Sequence, residues 1–312
     1  MIKKPGRGAH MRMAMVGLGR MGGNMARRLL RGGIQVVGFN RTRAVAEQLA
    51  EEDGLIVADN LADAVARLDA PRVVWLMLPA GSATESHLDE LIPLLDPGDV
   101  VVDGGNANYH DSERRARRLA DHDIEFVDAG TSGGIWGLDN GYCLMVGGSE
   151  RAVRAIEPAL KALAPAQDRG WAHVGPAGAG HFTKMIHNGI EYGMMQAFAE
   201  GFALLKGKQA YHLDLAQIAE LWRHGSVVRS WLLDLTADTL AQDQVLADIA
   251  PVVADSGEGR WTAKEAIDQG VAAPVISMAL AMRFASQDAE GYGNRVLAMM
   301  RNAFGGHAVE KK

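Results

Sequence analysis

The chain has 312 residues, of which 48% are hydrophobic and 22% charged, with 37 glycines, one cysteine and a formal net charge of -6. That length and apolar content suit one large or two medium globular domains and exclude a disordered or collagen-like chain. The acidic balance gives nucleic acid no general attraction, and no segment reaches the run of about 18 apolar residues that a membrane span requires.

Residues 1–11 read as a disordered basic extension, with Met11 and Met13 available as alternative starts. No apolar stretch of signal-peptide length follows it, so the protein is expected in the cytoplasm. From residue 12 to 180 short β-rich runs alternate with segments of helical period. The runs fall at 13–16, 36–39, 73–78, 100–102, 126–127 and 144–146, and the helix candidates at 21–31, 43–51, 61–67, 83–95, 112–120 and 150–164. This alternation predicts a parallel, doubly wound sheet of Rossmann type, which binds ligands at the carboxyl ends of its strands. Cys143 lies in the apolar run 142–146 and reads as a core thiol with no partner for an intramolecular disulfide.

Beyond the Gly-rich segment 175–180 the strand-like alternation stops. Helices are expected at 181–206, 215–222, 231–243, 263–270 and 274–304, with a break in the last near Gly291-Tyr292-Gly293. The predicted fold class is therefore α/β: an N-terminal Rossmann-type domain over 12–180 followed by an all-α C-terminal domain over 181–312.

Gly17-Leu18-Gly19-Arg20-Met21-Gly22 has the G-x-G-x-x-G spacing between a strand-like and a helix-like run. Its glycines suit a tight turn, close approach to a pyrophosphate at a helix N-terminus, and tight helix–strand packing. Leu78, Pro79, Ala80 and Asn106, near the ends of later runs, complete the expected cofactor set. An NAD-selective site usually carries a carboxylate at the end of the second strand. Here that place holds Asn40-Arg41-Thr42, which favours NADP over NAD because Arg41 can pair with a 2′-phosphate and Thr42 can donate to it. The competing reading has Thr42 capping the next helix and the arginines in solvent.

Lys184-Met185-Ile186-His187-Asn188-Gly189-Ile190-Glu191-Tyr192 opens the second half. On a helix, Lys184, His187, Asn188, Glu191 and Tyr192 share an arc of roughly 140°. Lys184 and Glu191 lie about 10 Å apart along the axis. That spacing suits two groups flanking one small substrate, although a solvated polar stripe is the ordinary meaning of such a face. A lysine desolvated in a cleft can serve as a general base, and an acid near it can return a proton.

These stretches, with Asp103-Gly104-Gly105-Asn106, Ser132-Gly133-Gly134, Gly259-Arg260-Trp261-Thr262 and the tail Arg301 to His307, resemble the decarboxylating 6-phosphogluconate dehydrogenases in their short bacterial form. The resemblance implies that Lys184 is the general base and Glu191 the general acid, with Asn188 also among the catalytic residues. It implies Ser132, Gly133 and Gly134 at the substrate carboxylate, and Asn106, His187 and Asn188 at its hydroxyls. Tyr192, Arg283, Arg301 and His307 would grip the phosphate, with Arg260 and Thr262 also at the substrate. The family takes its tail residues from a neighbouring subunit, so a homo-oligomer is implied, acting on a small phosphorylated sugar acid with no metal. One departure stands out: Ser256 and Glu258 replace a basic residue and a threonine of the long form, and a carboxylate there requires neutralisation, for which Arg260 is the candidate.

Two other readings compete. A β-hydroxyacid dehydrogenase of the 3-hydroxyisobutyrate type shares the Gly-rich loop, the Ser-Gly-Gly segment and a lysine, but His187, Glu191, Tyr192 and the tail argue against it. A non-catalytic NADP-binding protein would keep the fold without chemistry, which the intact Lys184 and Glu191 oppose.

Overall fold

The computed structural model describes residues 11–311. Of the extension expected at 1–11, all but Met11 lies outside the described residues. The elements begin with β1 (Arg12–Val16), α1 (Arg20–Arg31), β2 (Gln35–Phe39), α2 (Arg43–Asp53), β3 (Ile56–Val57), α3 (Leu61–Ala66), β4 (Val73–Leu76) and α4 (Ser82–Leu91). They continue with β5 (Val100–Asp103), α5 (Tyr109–Ala120), β6 (Glu125–Ser132), α6 (Gly137–Asn140), β7 (Cys143–Gly148), α7 (Glu150–Leu163), β8 (Trp171–Gly175) and α8 (Ala179–Gly207). The remainder is helical: α9 (Leu215–Trp222), α10 (Trp231–Gln242), α11 (Glu258–Gln269), α12 (Pro274–Gln287) and α13 (Tyr292–Gly305). Two compact units divide within α8, between Ile186 and His187.

The first unit is built on one eight-stranded sheet of order β3-β2-β1-β4-β5-β6-β7-β8. Successive residues of its central strands feed opposite faces, as the period of two demands. Met13, Met15, Trp75 and Val102 pack with α1 and α7, whereas Ala14, Val16, Leu76 and Val101 pack with α3, α4 and α5. Burial on both faces explains why these strands read as unbroken apolar runs. The chain reverses direction across the sheet between β1 and β4, and ligands of such sheets bind at that switch point.

In this first unit four expectations need correction. β7 runs antiparallel to β6, so the sheet is not wholly parallel. β3 and β8 were not expected; β3 has only two residues, and three of the five in β8 are exposed, which leaves either strand little apolar signal. The helix expected at 83–95 ends at Leu91 and gives way to a 3-10 turn over Ile92–Leu94, because Pro93 has no N–H to continue it. Cys143 is exposed: it opens β7 opposite Ser132, at a strand end that the neighbouring apolar side chains do not cover.

The second unit has sparse cores, one of Leu215, Ala219, Ala237 and Leu240 and another of Tyr192, Ala279 and Leu280. α11 begins at Glu258 rather than near 263, so Arg260 and Thr262 lie on it, and the last helix is broken between Gln287 and Tyr292, with Gly291 in the left-handed region at φ 60°.

The start of α8 is pressed against the sheet. A Cβ at Gly180 would lie 2.4 Å from the Asp128 carbonyl oxygen and 2.5 Å from that of Met145. Gly180→Ala is therefore expected to cost about 1–3 kcal/mol and to lower the thermal midpoint by several degrees, read by differential scanning calorimetry.

Candidate active site

The Gly-rich turn joins β1 to α1. Gly17 has φ +90°, and its N–H donates to the Phe39 carbonyl at 2.9 Å. A Cβ at Gly22 would fall 2.0 Å from the Gly17 carbonyl oxygen, so the third glycine lets α1 sit directly behind the turn. A Cβ at Gly19 would meet nothing within 4 Å, and no side chain caps α1 there. The first N–H groups of the helix are thus left for an anion, and a dinucleotide pyrophosphate fits this turn. Leu18 is buried, and its N–H donates to Asn40 Oδ1 at 2.9 Å. Arg20 is exposed at the head of α1 and Met21 half-buried behind it.

A groove of about 310 Å³ opens beside this turn, bounded by Gly17, Gly19, Asn40, Arg41, Thr42, Leu78 and Pro79. Ala80 is exposed but does not line it. Asn40 Nδ2 donates to the Thr42 carbonyl at 3.0 Å, which shapes the turn after β2. Thr42 occupies the N-cap position of α2 without a capping bond from its side chain, so its hydroxyl is not spent on the helix. Arg41 is exposed and makes no hydrogen bond or ion pair with any other described residue. Arg43, by contrast, is tied to Glu47 and Asp59. Phe39, Met77 and His87 also line the groove and were not foreseen, since each belongs to an element whose pattern reads simply as core or helix surface.

Loops after β4 and β5 lie side by side. A Cβ at Gly105 would come within 2.6 Å of the Leu78 carbonyl oxygen, and Asn106 follows on the exposed side. Beneath them Arg115, 1% exposed, donates to Asp103 Oδ2 at 2.7 Å and to Glu85 Oε1 at 2.9 Å. Asp103 Oδ1 accepts the Gly105 N–H at 3.2 Å, so this buried ion pair holds the loop that bears Asn106. Ser132 ends β6, and the turn after it uses the left-handed region at both Gly133 (φ 135°) and Gly134 (φ 53°). Behind that turn Tyr142 is fully buried, and burial pushes its phenol up to about 12 although Arg28 opposes the shift.

Lys184 lies near the start of α8 and is 8% exposed. A Cβ at Gly130 would stand 2.4 Å from Lys184 Cβ, so any larger residue on β6 would displace the lysine. Two residues earlier on β6, the buried Asp128 accepts the N–H groups of Gly178 and His181, each at 2.7 Å, and so caps the helix from fifty positions away. His181 Nδ1 meets Ser112 Oγ at 2.7 Å. Neither Asp128 nor His181 is visible as a site residue in the sequence, because the cap comes from a distant strand rather than from the residues just before the helix.

In the second unit His187 Nδ1 lies 3.0 Å from Asn188 Oδ1 and 3.9 Å from Glu191 Oε2, and all three side chains are half-buried. Tyr192 is 4% exposed. Its hydroxyl lies 3.1 Å from Ser256 Oγ and accepts the Ser256 N–H at 3.3 Å, and the Arg283 guanidinium stacks 3.4 Å from its ring centre. Ser256 in turn donates to Glu258 Oε2 at 2.7 Å. Arg260 does not neutralise Glu258 as the sequence suggested; it donates through Nε and Nη2 to Asp255 Oδ2 at 2.9 and 2.7 Å. Burial pushes the Asp255 carboxyl up, but the Gly257 N–H and the Arg260 and Arg283 charges outweigh it, and the group stays below its usual value. Thr262 is buried, with its hydroxyl donated to the Glu258 carbonyl and its methyl against Gly189. Arg301 and His307 are exposed on and beyond α13, a helix with no buried residue.

Among the described residues no group of three or more His, Cys, Asp or Glu side chains is placed to hold a metal, and no helix is long and apolar enough to cross a membrane.

Two family models match the chain: the NAD binding domain of 6-phosphogluconate dehydrogenase over residues 12–175, and the 6-phosphogluconate dehydrogenase C-terminal domain over 180–311. A Haloferax volcanii protein named as the NAD(+)-dependent, decarboxylating 6-phosphogluconate dehydrogenase is 42% identical over 97% of this chain and 99% of its own length. The decarboxylating enzyme of Synechococcus elongatus is 37% identical over 87% of this chain, which spans 61% of that longer relative. Among solved structures, 6-phosphogluconate dehydrogenase of Plasmodium falciparum, described with its cofactor NADP+ and with its substrate 6-phosphogluconate, aligns with a TM-score of 0.81 at 29% identity. That alignment covers 96% of this chain and 66% of the other.

One relative is thus named as NAD(+)-dependent and another is described with NADP+, and in this chain the exposed Arg41 borders the groove in the turn after β2. Arg41→Ala should weaken NADP about tenfold or more, the worth of one charged hydrogen bond. NAD should be unaffected, as read by titration calorimetry with each dinucleotide.

Proposed function

The chain belongs to the 6-phosphogluconate dehydrogenase family, and from that premise we propose that it oxidises and decarboxylates 6-phospho-D-gluconate to ribulose 5-phosphate and carbon dioxide, reducing NADP or NAD. The observation that carries this reading is α8, a single helix with Lys184 buried near its start and Glu191 and Tyr192 two turns on. A general base, a general acid and a phosphate anchor thereby follow one another in the sequence of one helix.

The bound nicotinamide dinucleotide supplies the hydride acceptor. Ser132 and the Gly133-Gly134 turn receive the substrate carboxylate, while Asn106, His187 and Asn188 take its hydroxyls. Lys184 removes the proton from the 3-hydroxyl as hydride leaves C3, and its burial keeps bulk water from that transfer. The resulting 3-keto acid loses carbon dioxide readily, because the carbonyl accepts the electron pair of the breaking bond. The protonated Lys184 then stands beside the developing enolate oxygen, and Glu191 delivers a proton to C1. Tyr192, Arg260 and Arg283 hold the phosphate end.

Arg301 and His307 complete the phosphate site of a neighbouring subunit in a homo-oligomer. In support, α13 buries none of its residues, and Ile267 and Phe304 are each 79% exposed and Leu204 77%, more apolar surface than a monomer usually presents. A cavity of about 560 Å³ lined by Phe198, Phe202, Leu232 and Leu235 adds to it, and none of the expected site residues lines it. The cytoplasm is the proposed place of action.

Absorbance of the reduced cofactor, followed with 6-phosphogluconate and NADP or NAD in parallel, tests the reading. Wild type should turn over, and Lys184→Met should lose at least about a hundredfold in kcat. Activity confined to a small unphosphorylated 3-hydroxy acid would replace this proposal with the 3-hydroxyisobutyrate type.

A further inference from the structure

Asp255 is absent from every role assigned above, yet it is the hub of the proposed phosphate end. Its side chain is 7% exposed, whereas that of Arg260 is 51% exposed. Oδ2 receives both Arg260 donors, and Oδ1 receives the Gly257 N–H at 3.0 Å and lies 3.5 Å from the Tyr192 hydroxyl. The Asp-Ser-Gly order makes this an Asx-type turn, in which the side chain binds the backbone two residues on. That turn also sets the peptide of Ser256, whose N–H donates to the same Tyr192 hydroxyl.

Two of the five guanidinium donors of Arg260 are therefore occupied on the protein side, and the side chain as a whole stays half exposed. Phe284 supports the other face, with the Arg260 carbon 5.0 Å from its ring centre. An arginine fixed on one edge and one face loses little rotamer freedom when an anion takes its remaining donors. The negative charge of Asp255 is balanced where it sits, by Arg260 and by the Gly257 amide.

Resting on the proposed function, the geometry points to Asp255 as a specificity-determining positioning residue: it aligns Arg260 and Tyr192 for a phosphate monoester and thereby selects the phosphorylated sugar acid over its unphosphorylated counterpart. It touches no reacting atom, so its effect belongs to binding of one end of the substrate and not to the chemical steps at C3 and C1.

The test is steady-state kinetics of the full-length enzyme and Asp255→Asn, with inorganic phosphate and D-gluconate as inhibitors competing with 6-phosphogluconate. The variant should raise KM for 6-phosphogluconate and the inhibition constant of phosphate by about tenfold each, the worth of one charged contact. Its kcat and the inhibition constant of D-gluconate should stay within about twofold. Asp255→Glu, which keeps the charge, should recover most of the loss, and Asp255→Asn in an Arg260→Ala background should add little to it. Equal losses for both inhibitors, a fall in kcat to match the rise in KM, or a lower KM for 6-phosphogluconate would overturn the assignment. Absence of wild-type turnover would instead refute the proposed function, so the two failures are distinct.

Discussion

The first turn of α8 lies on β6 and β7 at a separation that only glycine allows. Gly180 approaches the carbonyls of Asp128 and Met145, Gly147 approaches the Gly180 N–H, and Gly130 faces Lys184 Cβ. Close backbone approach alone would leave the helix N–H groups without acceptors, a costly state for buried amides. The Asp128 carboxylate removes that cost by accepting two of them, and the N-terminal end of the helix favours its negative charge. Steric fit and capping thus fix the same few residues, and the buried lysine one turn further on inherits its position from both.

The proposed phosphate end is organised by a different physics. Around Tyr192 the chain gathers Arg260 and Arg283 together with Asp255 and Glu258, two charges of each sign. Such a set is electrically balanced, which lets it persist in the absence of an anion without mutual repulsion of the arginines. Glu258 is accommodated at the start of α11, where a helix favours a carboxylate, and it accepts the Ser256 hydroxyl. Ser256 and Glu258 therefore belong to a hydrogen-bond chain, Tyr192 to Ser256 to Glu258, and Glu258 is not an unpaired charge.

Periodicity and glycine spacing made most of this fold legible. The Gly17–Gly22 turn, the alternation of strands and helices up to α7, and the polar face of α8 all express local rules that the sequence carries in consecutive residues. What escaped was non-local or weakly apolar. β3 and β8 lack an apolar run, and the direction of β7 depends on a connection rather than on its residues. Cys143 was read from its apolar neighbours, yet a strand end is not protected by them. At the site, Lys184, Glu191 and Tyr192 stood out because helical spacing brings them to one face. Asp128, His181 and Asp255 did not, because their partners lie on other elements or in a turn whose geometry a linear pattern does not specify. The NADP preference inferred from Asn40-Arg41-Thr42 rests on a free Arg41 and an unspent Thr42 hydroxyl, whereas a full-length relative is NAD(+)-dependent.

The two units divide their labour along lines set by their cores. The sheet of the first unit buries long apolar strands on both faces and holds its site loops by a buried Asp103–Arg115 pair, whose rupture would leave an uncompensated charge. Its geometry is intrinsic to the chain. Among the described residues the second unit has small buried clusters, while α13 and much of α12 leave Met278, Met282, Leu297, Met299 and Phe304 exposed. In the homo-oligomer proposed above, such helices would pack against a second copy, and the stability of this unit would then depend on protomer concentration. If the tail carrying Arg301 and His307 completes a neighbour's phosphate site, assembly and substrate affinity are linked through the same surface. A subunit on its own would then retain the cofactor groove and Lys184 but bind the phosphate end weakly, which confines turnover to the assembled enzyme.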